Sequence, residues 1–135
     1  FGEKDLQQLM VVKKMVADLK YPIQIISVKT VREQSGLAIS SRNQYLNQQE
    51  KEQAKIIYTC LVEAKEKILC NTQIKTIKHE MIAVLQSKKM KVDYISFVKL
   101  DSFEELNDSV VYPLAICIAV WYKKVRLIDN ILITK

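Results

Sequence analysis

The sequence predicts an α/β layer that gives way to a compact α+β domain. Apolar residues recur at helical spacing over 5–20 and are followed at once by a β-branched run over 23–28. Two more helical patterns fill 47–86. From 92 onward the period changes to two, and an almost wholly apolar stretch over 114–120 reads as the central strand of a small antiparallel sheet.

In the first helix Leu6, Leu9, Met10, Val12, Met15, Val16 and Leu19 trace one face, with Asp5 expected as N-cap and Tyr21-Pro22 expected to stop it. Ile23 to Val28 suits a buried strand, so helix and strand together read as the tail of an α/β domain. The polar segment that follows would sit beyond the carboxyl end of that strand, where open α/β sheets bind ligands. Asn47, with Glu50 three residues on, has the pattern of a capping box opening a helix to about Leu69. Ala54, Ile57, Tyr58, Leu61, Ala64, Ile68 and Leu69 form its expected buried stripe. Asn71 or Thr72 should open the next helix, about 74–86, with Ile77, Met81, Val84 and Leu85 inward. A strand over 92–100 places Tyr94, Ser96 and Val98 opposite Asp93, Ile95 and Phe97. Residues 102–106 look like a short helical turn capped by Ser102. After Pro113 come the central strand, a turn over 121–124 and a strand over 125–128, which 129–135 extends or follows with a short final strand. The expected boundary falls near Lys29 or Thr30, dividing 1–29 from 30–135.

Composition narrows the function classes. The chain has 135 residues, 49% apolar and 27% charged, an ordinary balance for a domain with a real core. No apolar run approaches the roughly 18 residues of a membrane helix. The opening Phe1-Gly2-Glu3-Lys4-Asp5 is mixed in charge, unlike a secretory signal, and the lack of an initiator Met suggests a fragment or processed chain. Cys60, Cys70 and Cys117 form no C-x-x-C pair and have only His79 as company, so reduced thiols in a cytoplasmic protein are expected, not a zinc site. The net charge of +6 would suit a nucleic-acid-binding module, but the lysines are interspersed with acids, as in Glu63-Ala64-Lys65-Glu66-Lys67, and no basic stripe alternates with aromatics. Arginine is scarce: Arg32, Arg42 and Arg126 are all there are, which suggests use where the planar fork matters.

Chemistry concentrates in two polar clusters, Phe1 to Asp5 and Thr30 to Asn43, and each holds one of the chain's two glycines, Gly2 and Gly36. The second contains Ser40-Ser41-Arg42-Asn43, whose hydroxyls, backbone N–H groups and guanidinium could converge on phosphate oxygens. The plainer reading is a solvated loop whose serines cap the next helix and whose glycines serve ordinary turns.

Phe1-Gly2-Glu3-Lys4-Asp5-Leu6-Gln7-Gln8-Leu9, Thr30-Val31-Arg32-Glu33 and Gly36-Leu37-Ala38-Ile39-Ser40-Ser41-Arg42-Asn43 resemble the pantothenate synthetases, or pantoate–β-alanine ligases. Val92-Asp93-Tyr94 and Arg126-Leu127-Ile128-Asp129-Asn130 match the same family in order. The resemblance implies the tail of a Rossmann-like nucleotidyltransferase domain followed by a small antiparallel sheet packed with helices, acting as a lid. It also implies a two-step reaction. ATP and pantoate give pantoyl adenylate and pyrophosphate with Mg²⁺, and the amine of β-alanine then displaces AMP. On this resemblance Gly2, Glu3, Lys4, Asp5, Val31, Ile39, Ser40, Ser41 and Arg42 line the ATP site, and Gln8 binds pantoate. Lys4, Ser40, Ser41 and Arg42 would act on the phosphates. Ile39 stands where the family usually has Met, a similar apolar volume. The family's His-x-Gly-His motif, second pantoate-binding glutamine and Mg²⁺ ligands are expected upstream of Phe1, so the chain alone should be inactive. A cytoplasmic homodimer is expected of the whole enzyme, with neither nucleic acid nor membrane as partner. Rival readings are a related adenylate-forming enzyme using another acid, a basic nucleic-acid-binding module, and a non-catalytic partner-binding domain.

Overall fold

The computed structural model describes residues 1–134. A 3-10 turn, Glu3–Asp5, leads into α1 (Leu6–Asp18), and a second, Ser41–Tyr45, precedes α2 (Gln48–Ala54), α3 (Ile56–Leu69) and α4 (Ile74–Ser87). Three strands follow, β1 (Met90–Lys99), β2 (Leu114–Tyr122) and β3 (Val125–Ile133), in an antiparallel sheet of order β1-β2-β3. The apolar run after Pro113 is thus the central strand, as its composition indicates. β3 continues through Asp129 to Ile133, and Lys135 of the expected terminal extension lies outside the described residues.

One face of the sheet carries the main core. Ile57, Leu61 and Ile68 of α3 and Ile77 and Leu85 of α4 close over Ile95, Phe97, Ile116, Ile118 and Val120. Burying each such side chain contributes about 1.5–3 kcal/mol. The other face takes α1, whose Leu6 and Leu9 pack on Val98, Ala115 and Cys117. Strand alternation makes this possible, because Val98, Ala115 and Cys117 are offset by one residue from the neighbours that face the helices. The same burial pushes the Cys60 thiol up to about 11 and Cys117 to about 12, so both stay protonated at neutral pH and are not nucleophiles.

Several expectations need correction. Residues 23–28 form no strand: among the described residues their one β-bridge is the parallel one from Val28 to Gly2, beside which the Phe1 ammonium donates to Ile26 O at 3.0 Å, and Ile26 is 68% exposed. A buried strand needs ladders on both sides, and here the Phe1–Glu3 segment supplies one short neighbour. Correspondingly, α1 leaves Met15 and Leu19 exposed beside Tyr21 and Ile23. Asp5 occupies the cap position of α1 without a side-chain capping bond, because its ψ of 61° lies outside the extended region a cap uses. α1 ends at Asp18 before the proline, through Lys20 at φ 52°, with Lys20 N donating to Ala17 O and Tyr21 N to Val16 O.

The capping box forms as expected, Asn47 Oδ1 accepting from Glu50 N at 2.9 Å and Glu50 Oε2 from Asn47 N at 2.8 Å. The helix it opens is interrupted at Lys55, where Tyr58 N turns to Lys55 O in a tighter bond and the Thr59 hydroxyl also donates to that carbonyl. Leu69 is exposed, since it lies about 100° around the helix from buried Ile68. Asn71, at φ 61°, ends α3, and the cap position of α4 falls to Gln73 without a side-chain bond. Residues 102–106 are not helical. Phe103 takes φ 60°, and Glu105 bridges back to Val98. The turn after β2 is confined to Lys123 and Lys124, so Trp121 and Tyr122 remain in the strand.

Candidate active site

The two polar clusters meet at β3. Lys4 rides on the 3-10 turn ahead of α1, and the 32–42 loop folds back through an antiparallel bridge between Arg32 and Ala38. Lys4, Ser40, Arg42, Asn43, Arg126 and Asp129 then line one narrow crevice. It borders a larger cavity of about 520 Å³, shared by Lys4, Asp5, Gln8, Tyr94, Glu105 and Arg126. Gln8 therefore faces the same opening as Lys4, as its place on the first turn of α1 suggests.

Three cations, Lys4, Arg42 and Arg126, and one carboxylate, Asp129, line the crevice. Partial burial lowers the Lys4 pKa, and the Arg42 and Arg32 cations lower it further, against the opposing pull of Asp5 and Asp129. Arg42 is exposed and has no carboxylate partner among the described residues. Ser40 Oγ accepts from Arg42 N at 3.2 Å, capping the Ser41–Tyr45 turn, and its O–H remains available to donate. The capping role and an anion-binding role are therefore compatible in one hydroxyl.

The remaining predicted residues are placed unevenly. Val31 and Ile39 lie together, joined by Ile39 N to Val31 O at 2.9 Å, with both side chains outward as a small apolar ledge. Ser41 is exposed at the start of its 3-10 turn and does not line the crevice. Glu3 contributes backbone, its N donating to Val28 O and its carbonyl accepting from Asn130. Gly2 has an ordinary φ of −75°, and a Cβ there would meet no atom within 4 Å. Gly36 differs: at φ +92° its Cβ would fall 2.6 Å from the Tyr58 ring. Gly36→Ala should lower stability by about 1–3 kcal/mol through strain and overpacking, which a shift in the urea midpoint would register.

Sequence reasoning missed the residues that join the clusters. Asp129 holds Arg32 through two bonds of 2.6 and 2.9 Å, and Asn130 Nδ2 donates to the carbonyls of Glu3 and Lys4 at 2.8 and 2.9 Å. The scarcity of arginine was the available signal for Arg32, but its partner lies 97 residues away. Asn43, expected only as part of the polar run, is buried. Its Nδ2 donates to Ala38 O, and its Oδ1 has no hydrogen-bond partner among the described residues.

A family model described as pantoate–beta-alanine ligase matches residues 1–132. The chain belongs to that family. The pantothenate synthetase of Caldicellulosiruptor bescii is 45% identical, aligned over 98% of this chain and 48% of its own length. The pantoate–beta-alanine ligase of Oryza sativa subsp. japonica is 43% identical over 97% of this chain and 42% of its own. Among solved structures, pantothenate synthetase from Thermus thermophilus superposes with a TM-score of 0.89 at 34% identity, covering 100% of this chain and 49% of that one. The Francisella tularensis ligase, complexed with beta-gamma ATP and beta-alanine, gives 0.64 at 32% identity over 97% of this chain and 41% of that one. The chain thus spans about half the length of the curated relatives it matches.

Proposed function

We propose that this chain supplies the phosphate grip and the covering sheet of a pantoate–β-alanine ligase, an AMP-forming enzyme of pantothenate and coenzyme A biosynthesis. The convergence of Lys4, Ser40 and Arg42 on one crevice carries the reading. When the pantoate carboxylate attacks the α-phosphorus of ATP, negative charge builds on the phosphate oxygens and on the departing pyrophosphate. A lysine already destabilised as a cation gains most from such an anion, and Arg42 and the Ser40 hydroxyl add charge and a donor, while Ser41, exposed outside the crevice, would have to reach the phosphates from its rim. Gly2, Glu3 and Asp5 would border the nucleotide, with Gly2 leaving room for close backbone approach, and the Val31–Ile39 ledge suits an adenine face. Gln8, sharing the cavity of Lys4, is placed to hydrogen-bond pantoate before β-alanine attacks the acyl carbon.

Residues 1–29 would complete a Rossmann-like domain, and 30–135 would form the lid. The exposed Met15, Leu19, Ile23 and Ile26 are the apolar surface on which the rest of that domain would lie. Mg²⁺ would accompany the ATP phosphates, with its protein ligands expected elsewhere in the enzyme. The homodimer and the cytoplasmic location belong to the same reading. No helix among the described residues is long and apolar enough to cross a membrane.

The nucleic-acid alternative fares worse. Lys14, Lys55, Lys67, Lys75, Lys78 and Lys123 each pair with a carboxylate, so these lysines are interspersed with acids and do not make up a purely basic stripe. The test is direct. The 135-residue chain given ATP, pantoate and β-alanine should make no pantothenate, whereas the intact ligase should exchange labelled pyrophosphate into ATP only with pantoate present. Pantothenate from the chain alone, or exchange supported equally by an unrelated acid, would overturn the assignment.

A further inference from the structure

Asp129 and Asn130 are adjacent on β3, so their side chains leave opposite faces of the sheet. Asp129 pairs across to Ile118 on the face covered by α3 and α4, and Asn130 to Cys117 on the face covered by α1. On the first side, Asp129 accepts from the two terminal guanidinium nitrogens of Arg32. Arg32 in turn donates to Gly36 O at 3.1 Å and lies 3.8 Å from the centre of the Tyr58 ring. On the second side, Asn130 donates to two successive carbonyls of the turn that carries Lys4. Both side chains are buried, and Asn130 N donates to Asp129 Oδ1 at 2.8 Å, locking the pair to each other.

We propose that Arg32, Asp129 and Asn130 are positioning residues that clasp the Lys4 turn and the Arg42 loop to one strand, so that both cations meet the same phosphate group. The inference rests on the proposed ligase function and assigns work to residues outside the phosphate grip itself. None of the three needs to touch substrate. Their effect runs through where Lys4 and Arg42 stand, and misplacement by about 1 Å can cost roughly 10²-fold in rate.

The two half-reactions separate this role from plain stability. Adenylate formation needs the grip on the triphosphate; attack of β-alanine on supplied pantoyl adenylate has no pyrophosphate to hold. In the intact ligase, Asn130→Ala and Asn130→Asp are expected to slow single-turnover adenylate formation by about 10-fold or more while aminolysis of supplied adenylate stays within about twofold. Arg32→Lys keeps a cation at a partly exposed position but loses the fork, and should show the same split. Reading all three variants in both assays guards against one of them failing to fold. Unchanged adenylation across the series, or equal loss in both half-reactions, would overturn the clasp. Failure of the unsubstituted ligase to form adenylate would instead overturn the functional reading beneath it.

Discussion

Lys4→Ala and Arg42→Ala, made singly in the intact ligase, are each expected to slow adenylate formation by about 10²-fold or more, the scale of removing one preorganised electrostatic donor. At about 1.36 kcal/mol per decade this is roughly 2.7 kcal/mol of transition-state stabilisation. The two variants should reach that loss differently. Arg42 is exposed and lacks a carboxylate partner among the described residues, so truncating it should change stability by no more than about 0.5 kcal/mol, leaving the rate as the main readout. Lys4 is half-buried with a depressed pKa, so its removal relieves an electrostatic cost in the free protein and sharpens the contrast between sound folding and failed chemistry. Arg42→Lys should recover only part of the rate, because an ammonium cannot present two parallel donors to a phosphate. Single-turnover quench measurements of adenylate decide the matter: an unchanged rate removes that residue from the grip.

Asp129→Ala is expected to cost about 3–5 kcal/mol of stability, the usual consequence of orphaning one partner of a buried ion pair. Arg32 is 18% exposed and Asp129 4%, so water cannot easily replace the lost carboxylate. The same substitution strips Asn130 N of its acceptor. Against a total stability of about 5–15 kcal/mol for such a domain, that loss should move the urea midpoint far, and Trp121 on β2 offers a fluorescence probe. Pairing it with Arg32→Met should restore much of the loss, since two apolar side chains leave no orphaned charge. If the double variant is no more stable than Asp129→Ala alone, an unpaired guanidinium is not the source of the cost.

Local pattern was a good guide wherever an element's partner is close in sequence or its own composition is one-sided. The capping box of Asn47 and Glu50 spans three residues and formed as written. The central strand is apolar on both faces because helices cover both, and that composition is visible without coordinates. At residues 23–28 the β-branched content marks a strand that wants burial, but within this chain only the Phe1–Glu3 segment pairs with it, so Ile23 and Ile26 stay exposed. Pattern misled at 102–106, where Phe103 in the left-handed region turns the chain back on β1, a geometry that residue type does not announce.

The sequence by itself determined the helices, the small antiparallel sheet, the ligase family and the polar residues of both clusters. These are written in spacing, caps and contiguous motifs. Only the tertiary structure decided that the two clusters border one crevice. Lys4 and Arg42 stand 38 positions apart along the chain, and what brings them together is a third segment, Asp129–Asn130, near the opposite end. Strand alternation sends those two side chains to opposite faces of β3, one to the loop and one to the turn. A contact of that kind depends on the register of a finished sheet, which is why no window along the sequence contains it.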